Sequence, residues 1–131
     1  VGRSAVAACL ESGDAVSVFE ADTERNRRLA PRLLRAWAGR APAPRLLFGD
    51  IRDPAALRAA VAGQDAVIHL AAIIPPAADR RPELARAVNV EGTRNLVAAC
   101  RAAAAAGNLP PRLVHASSIA AYGDRVDDFW I

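Results

Sequence analysis

The feature that most constrains this sequence is its alternation between short apolar runs and longer segments with helical spacing. The runs are AVSVFE, RLLFG, AVIHLA and RLVHAS, and segments rich in alanine, leucine and arginine separate them. Strands that are apolar on both sides are typical of a parallel sheet covered by helices on both faces. The sequence therefore predicts an α/β domain with a three-layer parallel sheet.

The pattern predicts four strands and four helices in strict alternation. Asp53 followed by Pro54 indicates a helix start, with Asp53 as the N-cap. Gly92 predicts an interruption in the longest helix, because glycine costs about 1 kcal/mol relative to alanine in a helix interior. The predicted strands are 15–20, 45–49, 66–71 and 112–117, and the predicted helices are 3–12, 23–38, 54–61 and 82–106.

Composition excludes two classes of partner. The net charge is +3 and all 17 basic residues are arginines, but they are spread along the chain and aromatic residues make up only 5%. Nucleic-acid binding is therefore not expected. No apolar run approaches the roughly 20 residues that span a bilayer, so no membrane partner is expected. We interpret Cys9 and Cys100 as small buried thiols in a reducing compartment, which predicts a cytoplasmic protein.

Ligands of such sheets bind beyond the carboxyl ends of the strands. After the first strand, Glu20 or Asp22 could accept hydrogen bonds from a ribose, or either could be an ordinary polar residue leaving a strand. After the second, Asp50 could face an adenine amino group while Ile51 packs on the ring. Alternatively, this loop serves only to place the cap Asp53.

The later strand ends and the long helix supply the remaining candidates. Small residues at 70–72 would let a ligand approach the backbone, or they form a compact turn before the prolines. Asn89 is unfavourable inside a helix, and we predict that it holds the loop after the third strand. Ser117 and Ser118 are candidate members of a proton network, or they simply end the fourth strand.

Together, GR at the start, Glu20, GDIRD, AVIHLAA, NVEGT and HASSIAAYG resemble the extended short-chain dehydrogenase/reductases, the NAD-dependent epimerase/dehydratase group. The resemblance covers nearly the whole chain. It implies a Rossmann-type domain that binds NAD. It also implies that residues 1–131 are a partial domain, with the N-terminal central strand and two phosphate-loop glycines upstream of Val1 and the C-terminal substrate-binding part absent.

The resemblance also assigns roles to individual residues. Gly2 matches the last glycine of the phosphate loop, and Glu20 matches the residue that binds the adenosine ribose. Ser118 matches the catalytic serine. The remaining matches are to an adenine-contacting pair (Asp50, Ile51), the segment beneath ribose and pyrophosphate (Leu70, Ala71, Ala72), the nearby helix asparagine (Asn89) and the neighbour of the nicotinamide (Ser117).

Tyr122 matches a YG pair and not the acid/base tyrosine of the family's YxxxK motif, which cannot occur in a sequence without lysine. The resemblance thus implies an oxidoreductase that transfers hydride at a hydroxyl or keto carbon of a sugar-nucleotide or similar small molecule, while the chain alone is expected to be inactive. There are two alternatives. One is a non-catalytic dinucleotide-binding sensor or scaffold, and the other is an α/β domain of another family.

Two expectations concern the cofactor and the assembly. NAD is favoured over NADP because Glu20 is acidic, although Arg25, Arg27 and Arg28 follow closely. A homodimer through the helix at 82–106 is expected by analogy with the family.

Overall fold

The computed structural model describes residues 1–105 and 109–118. Helices and parallel strands alternate along the chain, as the apolar runs predict. The elements are α1 (Gly2–Glu11), β1 (Ser17–Ala21), α2 (Glu24–Ala36), β2 (Arg45–Gly49), α3 (Pro54–Val61), β3 (Ala66–His69), α4 (Ala77–Arg80), α5 (Pro82–Arg86), a π-helical segment (Ala87–Gly92), α6 (Thr93–Ala105) and β4 (Arg112–His115).

The strands form two parallel pairs, β1 with β2 and β3 with β4. In the described part of the chain, the two pairs belong to separate sheets. No strand among these residues joins the two pairs, and the family resemblance implies a central strand upstream of Val1. The predicted α/β fold with parallel strands is confirmed, and the described strands form two separate pairs.

The core lies on one face of both pairs. Its buried members come from α3 and α6, and half-buried residues of three strands pack against them, among them Phe19, Val67 and Leu113. On β3 and β4 the neighbouring residues Ile68 and Val114 are 46% and 51% exposed. The apolar character of these two strands therefore reflects two faces, of which the described residues cover one. The buried core residues are Leu57, Val61, Leu96, Ala99 and Cys100.

The predicted long helix is interrupted at the expected place. It comprises α5, the π-helical segment and α6, and the π-helical segment ends at Gly92. A Cβ at Gly92 would lie 2.7 Å from Ile51 Cγ2. The glycine is therefore required by close packing against the loop that follows β2.

The predictions for other individual elements and residues were partly confirmed. Asp53 caps α3 by accepting a hydrogen bond from the Ala55 N–H at 2.8 Å, as predicted. The short helix α4 was not predicted, because the prolines before it favour a turn; it begins directly after Pro76. Cys9 and Cys100 are free thiols, although Cys9 is only half-buried. No helix among residues 1–105 and 109–118 is long and apolar enough to cross a membrane.

Candidate functional site at the carboxyl ends of the strands

The register of β1 and β2 brings three carboxylates to one edge. Glu20 is opposite Phe48, and the Asp22 N–H donates to the Gly49 carbonyl at 3.2 Å. Asp50 follows directly after β2. The structure therefore places Glu20, Asp22 and Asp50 at the same edge of the β1–β2 pair, as the sequence predicts.

Glu20 is half-buried at the end of β1, and a neighbouring amide orients it. The Asn26 Nδ2 donates to the Ala21 carbonyl at 2.8 Å and lies 3.5 Å from Glu20 Oε2. No ion pair involves Glu20 in the described part of the chain. Its carboxylate consequently keeps acceptor positions for the hydroxyls of a ligand.

Asp22 is engaged differently, since both of its oxygens bind one arginine. Arg27 Nε lies 2.5 Å from Oδ1, and Arg27 Nη2 lies 2.8 Å from Oδ2. The hydrogen bonds from Arg27 hold the pKa of Asp22 below its ordinary value. The same guanidinium lies 5.0 Å from the centre of the Phe48 ring. Asp22 is thus an anion near neutral pH, and Arg27 balances its charge.

Asp50 also has a partner on its own loop. The Arg52 side chain binds both carboxylate oxygens, and the Arg52 N–H donates to Oδ1 at 2.8 Å. These side-chain hydrogen bonds are the main reason why the pKa of Asp50 is lowered. A carboxylate has about four acceptor positions. The predicted contact with an adenine amino group therefore remains a prediction, with some acceptor capacity left for it.

The β3–β4 pair supplies the second half of the edge. His69 is opposite His115, and the Ala116 N–H donates to the His69 carbonyl at 3.1 Å. Beyond this bond the segments that follow β3 and β4 leave the sheet, so both strands are shorter than predicted. Ala71, Ala72, Ser117 and Ser118 are exposed there, and Leu70 is half-buried.

Asn89 holds the loop after β3, as predicted. Its Oδ1 accepts a hydrogen bond from the Ile73 N–H at 2.8 Å, and its Nδ2 donates to the Ile73 carbonyl at 2.8 Å. One amide thus satisfies both backbone groups of a residue outside any strand. The cost of an asparagine in a helix is offset by fixing the segment that contains Leu70, Ala71 and Ala72.

A hydrogen-bonded chain that the sequence did not predict connects β3 to the same asparagine. The Thr93 hydroxyl donates to the Asn89 carbonyl at 2.7 Å, so its oxygen accepts from His69 Nε2 at 2.9 Å. Burial, and then the His115 ring stacked at 5.0 Å, lower the pKa of His69. His69 is therefore uncharged near neutral pH and has a structural role in this hydrogen-bonded chain. The one sequence feature that could have indicated the hydrogen bond of Thr93 is its position four residues after Asn89.

The π-helical segment and α6 connect the two halves of the edge. Gly92 contacts Ile51 after β2, and the Asn95 Nδ2 donates to the Arg52 carbonyl at 3.2 Å. Asn89 reaches the loop after β3. The Ile51 side chain thus packs against Gly92 and the core, and its predicted contact with an adenine ring stays a prediction.

The geometry does not test the predicted roles of Gly2, Ser117 and Ser118. Gly2 begins α1 and is exposed, and an added Cβ would meet no atom within 4 Å. The assignment of Gly2 to the phosphate loop therefore remains a prediction. Ser117 and Ser118 follow β4 at the carboxyl edge, so their roles remain predictions. Tyr122 lies outside the described residues.

The fold and this edge define a Rossmann-like domain of the dinucleotide-binding class. The model of the NAD dependent epimerase/dehydratase family matches residues 1–128, and the chain belongs to this family. The D-erythronate dehydrogenase of Cupriavidus necator is 36% identical over 83 residues, which cover 63% of this chain and 24% of that protein.

Solved structures agree with this assignment. The X-ray structure of Pen from Bacillus thuringiensis superposes with a TM-score of 0.76 at 28% identity, covering 93% of this chain and 35% of that one. The crystal structure of gox2253 gives 0.65 at 28% identity, covering 98% and 34%. The chain thus spans about a quarter to a third of the length of these relatives.

Proposed function

We propose that the protein carrying this chain is an NAD-dependent oxidoreductase that transfers hydride at a hydroxyl or keto carbon of a sugar-nucleotide or similar substrate. The observation that carries the proposal is the Glu20 carboxylate. It lies at the end of a parallel strand, without an ion pair among the described residues, beside a second strand pair whose loop Asn89 fixes. Family membership over residues 1–128 supports the same chemistry.

The residues present fit the adenosine half of a dinucleotide. Glu20 would accept hydrogen bonds from the two ribose hydroxyls, and the exposed Ala71 and Ala72 have no side chain long enough to block a pyrophosphate. NAD supplies the hydride acceptor when bound. Ser118 would donate a hydrogen bond to the reacting oxygen of the substrate and orient it.

Three finer assignments belong to the proposal. NAD is preferred to NADP because Glu20 would repel a 2′-phosphate. The match to a D-erythronate dehydrogenase favours simple dehydrogenation over epimerisation or dehydration. D-erythronate should therefore be assayed beside nucleotide sugars as a substrate. We also propose a cytoplasmic location, because we interpret Cys9 and Cys100 as thiols in a reducing compartment.

Binding of NAD to the full gene product tests the proposal directly. Glu20→Ala removes the charged acceptor, and hydrogen bonds to charged groups contribute about 1.5–3 kcal/mol, so NAD affinity should fall at least about tenfold. Glu24→Ala is the matched control, because Glu24 lies on the exposed start of α2 and pairs with Arg28. Calorimetry that gives equal affinities for the two variants would contradict the assigned ribose site.

Turnover distinguishes the enzyme from a non-catalytic sensor. Ser118→Ala should lower kcat for the accepted substrate by about 100-fold or more, as the loss of an oriented donor to a reacting oxygen does. NAD affinity should change little, since Ser118 is assigned to the substrate. Binding of NAD without reduction of any hydroxylated or keto substrate would favour the sensor.

We further propose a homodimer through the helical segment 82–105. The face of α6 that carries Val97 and Ala98 is open in the described structure and is flanked by Arg94 and Arg101. Light scattering after chromatography should show a dimer that Ala98→Glu converts to a monomer. A monomeric native protein would contradict this assembly.

A further inference from the structure

We infer that Asp22 is a second determinant of the preference for NAD, because it holds Arg27 in an ion pair and so removes the cation that a 2′-phosphate would need. The inference rests on the proposed function, since it concerns the same ribose site. It goes beyond that site's assigned acceptor, Glu20, by giving a role to a residue that need not touch the ribose.

The geometry of the pair supports this role. Arg27 presents its Nε and Nη2 to the two oxygens of Asp22, which is the two-point arrangement that guanidinium also uses for phosphate. The Phe48 ring, within cation–π range, keeps the guanidinium at the carboxyl edge of β1 and β2. Arg27 is therefore near the ribose site but already occupied by a carboxylate.

Carboxylates also hold two other arginines near this edge, Arg28 and Arg52. Arg28 pairs with Glu24 at 3.1 Å, one turn back on α2. Glu20 and Asp22 carry two negative charges against the single positive charge of Arg27. A 2′-phosphate would have to break the Asp22–Arg27 pair and would then lie beside two carboxylates. Removing the Asp22 charge should both release Arg27 and lower this repulsion.

The experiment compares the Kd values of NAD and NADP for the full gene product by calorimetry. Asp22→Asn keeps the side-chain size, and α2 is capped by Thr23, so the helix start is preserved. The ratio of the NADP Kd to the NAD Kd should fall at least about fivefold, which corresponds to about one kcal/mol in the relative binding free energy. Arg27→Ala added to Asp22→Asn should abolish most of this gain.

Controls separate this inference from general charge effects. Glu24→Gln removes a carboxylate from α2 and releases Arg28, which in the described part of the chain is not held against Phe48 as Arg27 is, so the ratio should stay within about twofold. An unchanged ratio in Asp22→Asn, or a gain that persists without Arg27, overturns the inference while the NAD site stands. A native protein that binds neither nucleotide overturns both this inference and the proposed function.

Discussion

At the residue scale, Asn89 stabilises the loop after β3, so its removal should lower the free energy of unfolding. It satisfies the N–H and the carbonyl of Ile73, which lie part-buried between the helix and the loop. Asn89→Ala leaves both groups without their partner and should lower the free energy of unfolding by about 1–3 kcal/mol. Urea denaturation of the full gene product measures this change.

Asn95→Ala is the control for that experiment, because Asn95 lies on the same helical stretch and makes one exposed hydrogen bond to the Arg52 carbonyl. Its cost should stay within about 0.5 kcal/mol, as is usual for surface substitutions. Equal losses in the two variants would show that the Asn89 amide does not hold the loop.

His69 should give the protein a weak dependence on acid. Its folded pKa is lowered from 6.5, chiefly by burial, so the unfolded chain binds the proton more readily. Above about pH 6.5, the ordinary pKa of histidine, His69 is neutral in both states and its contribution to the free energy of unfolding is complete. This contribution declines as the pH falls from 6.5 towards the lower pKa of His69 in the folded protein. His69→Gln cannot titrate but can donate to Thr93, so its stability should decrease less between about pH 7.5 and pH 5.5.

Urea midpoints of the native protein and His69→Gln at the two pH values test this expectation. Groups that do not contact the stacked His69–His115 pair are common to both proteins, so the difference reports on this pair. A steeper loss in His69→Gln than in the native protein would show that His69 does not carry the acid sensitivity.

At the element scale, the π-helical segment is fixed by what packs against its end. Gly92→Ala would place a Cβ 2.7 Å from Ile51 Cγ2 and should cost about 1–3 kcal/mol, as overpacking does. Ile51→Ala removes the obstructing atoms. The double variant should therefore lose less than the sum of the single variants, with a coupling of about 0.5–3 kcal/mol in a denaturation cycle. Strict additivity would contradict the contact.

The elements also show what sequence alone can predict here. The order of the strands and of most helices and the Asp53 cap follow from local patterns, because propensity and apolar period act within a few residues. An asparagine inside a helix indicates a role outside that helix, but its partner Ile73 lies 16 positions away. The link between His69 and Thr93 could not be predicted, since it joins residues 24 positions apart through packing. Likewise, which of Arg25, Arg27 and Arg28 faces Asp22 depends on how α2 lies against β1.

At the scale of the whole molecule, helices and not strands hold the two halves of the site together. The strand pairs share no ladder in the described part of the chain, and α3 with α6 forms the core that both contact. Within residues 1–105 and 109–118, β1 and β3 are not joined by the backbone pairing that makes a sheet cooperative. Ligand positions that depend on both pairs rely on the contacts of residues 89–95.

This arrangement predicts the unfolding behaviour of the isolated 131-residue chain. With a divided sheet and with Ile68 and Val114 exposed on one face, it should unfold over a broad temperature range, whereas the full gene product should show one sharp transition. Calorimetry and circular dichroism of both proteins provide the comparison. A single cooperative transition of the isolated chain, with coincident curves from the two methods, would show that the helical core alone makes the divided sheet one folding unit.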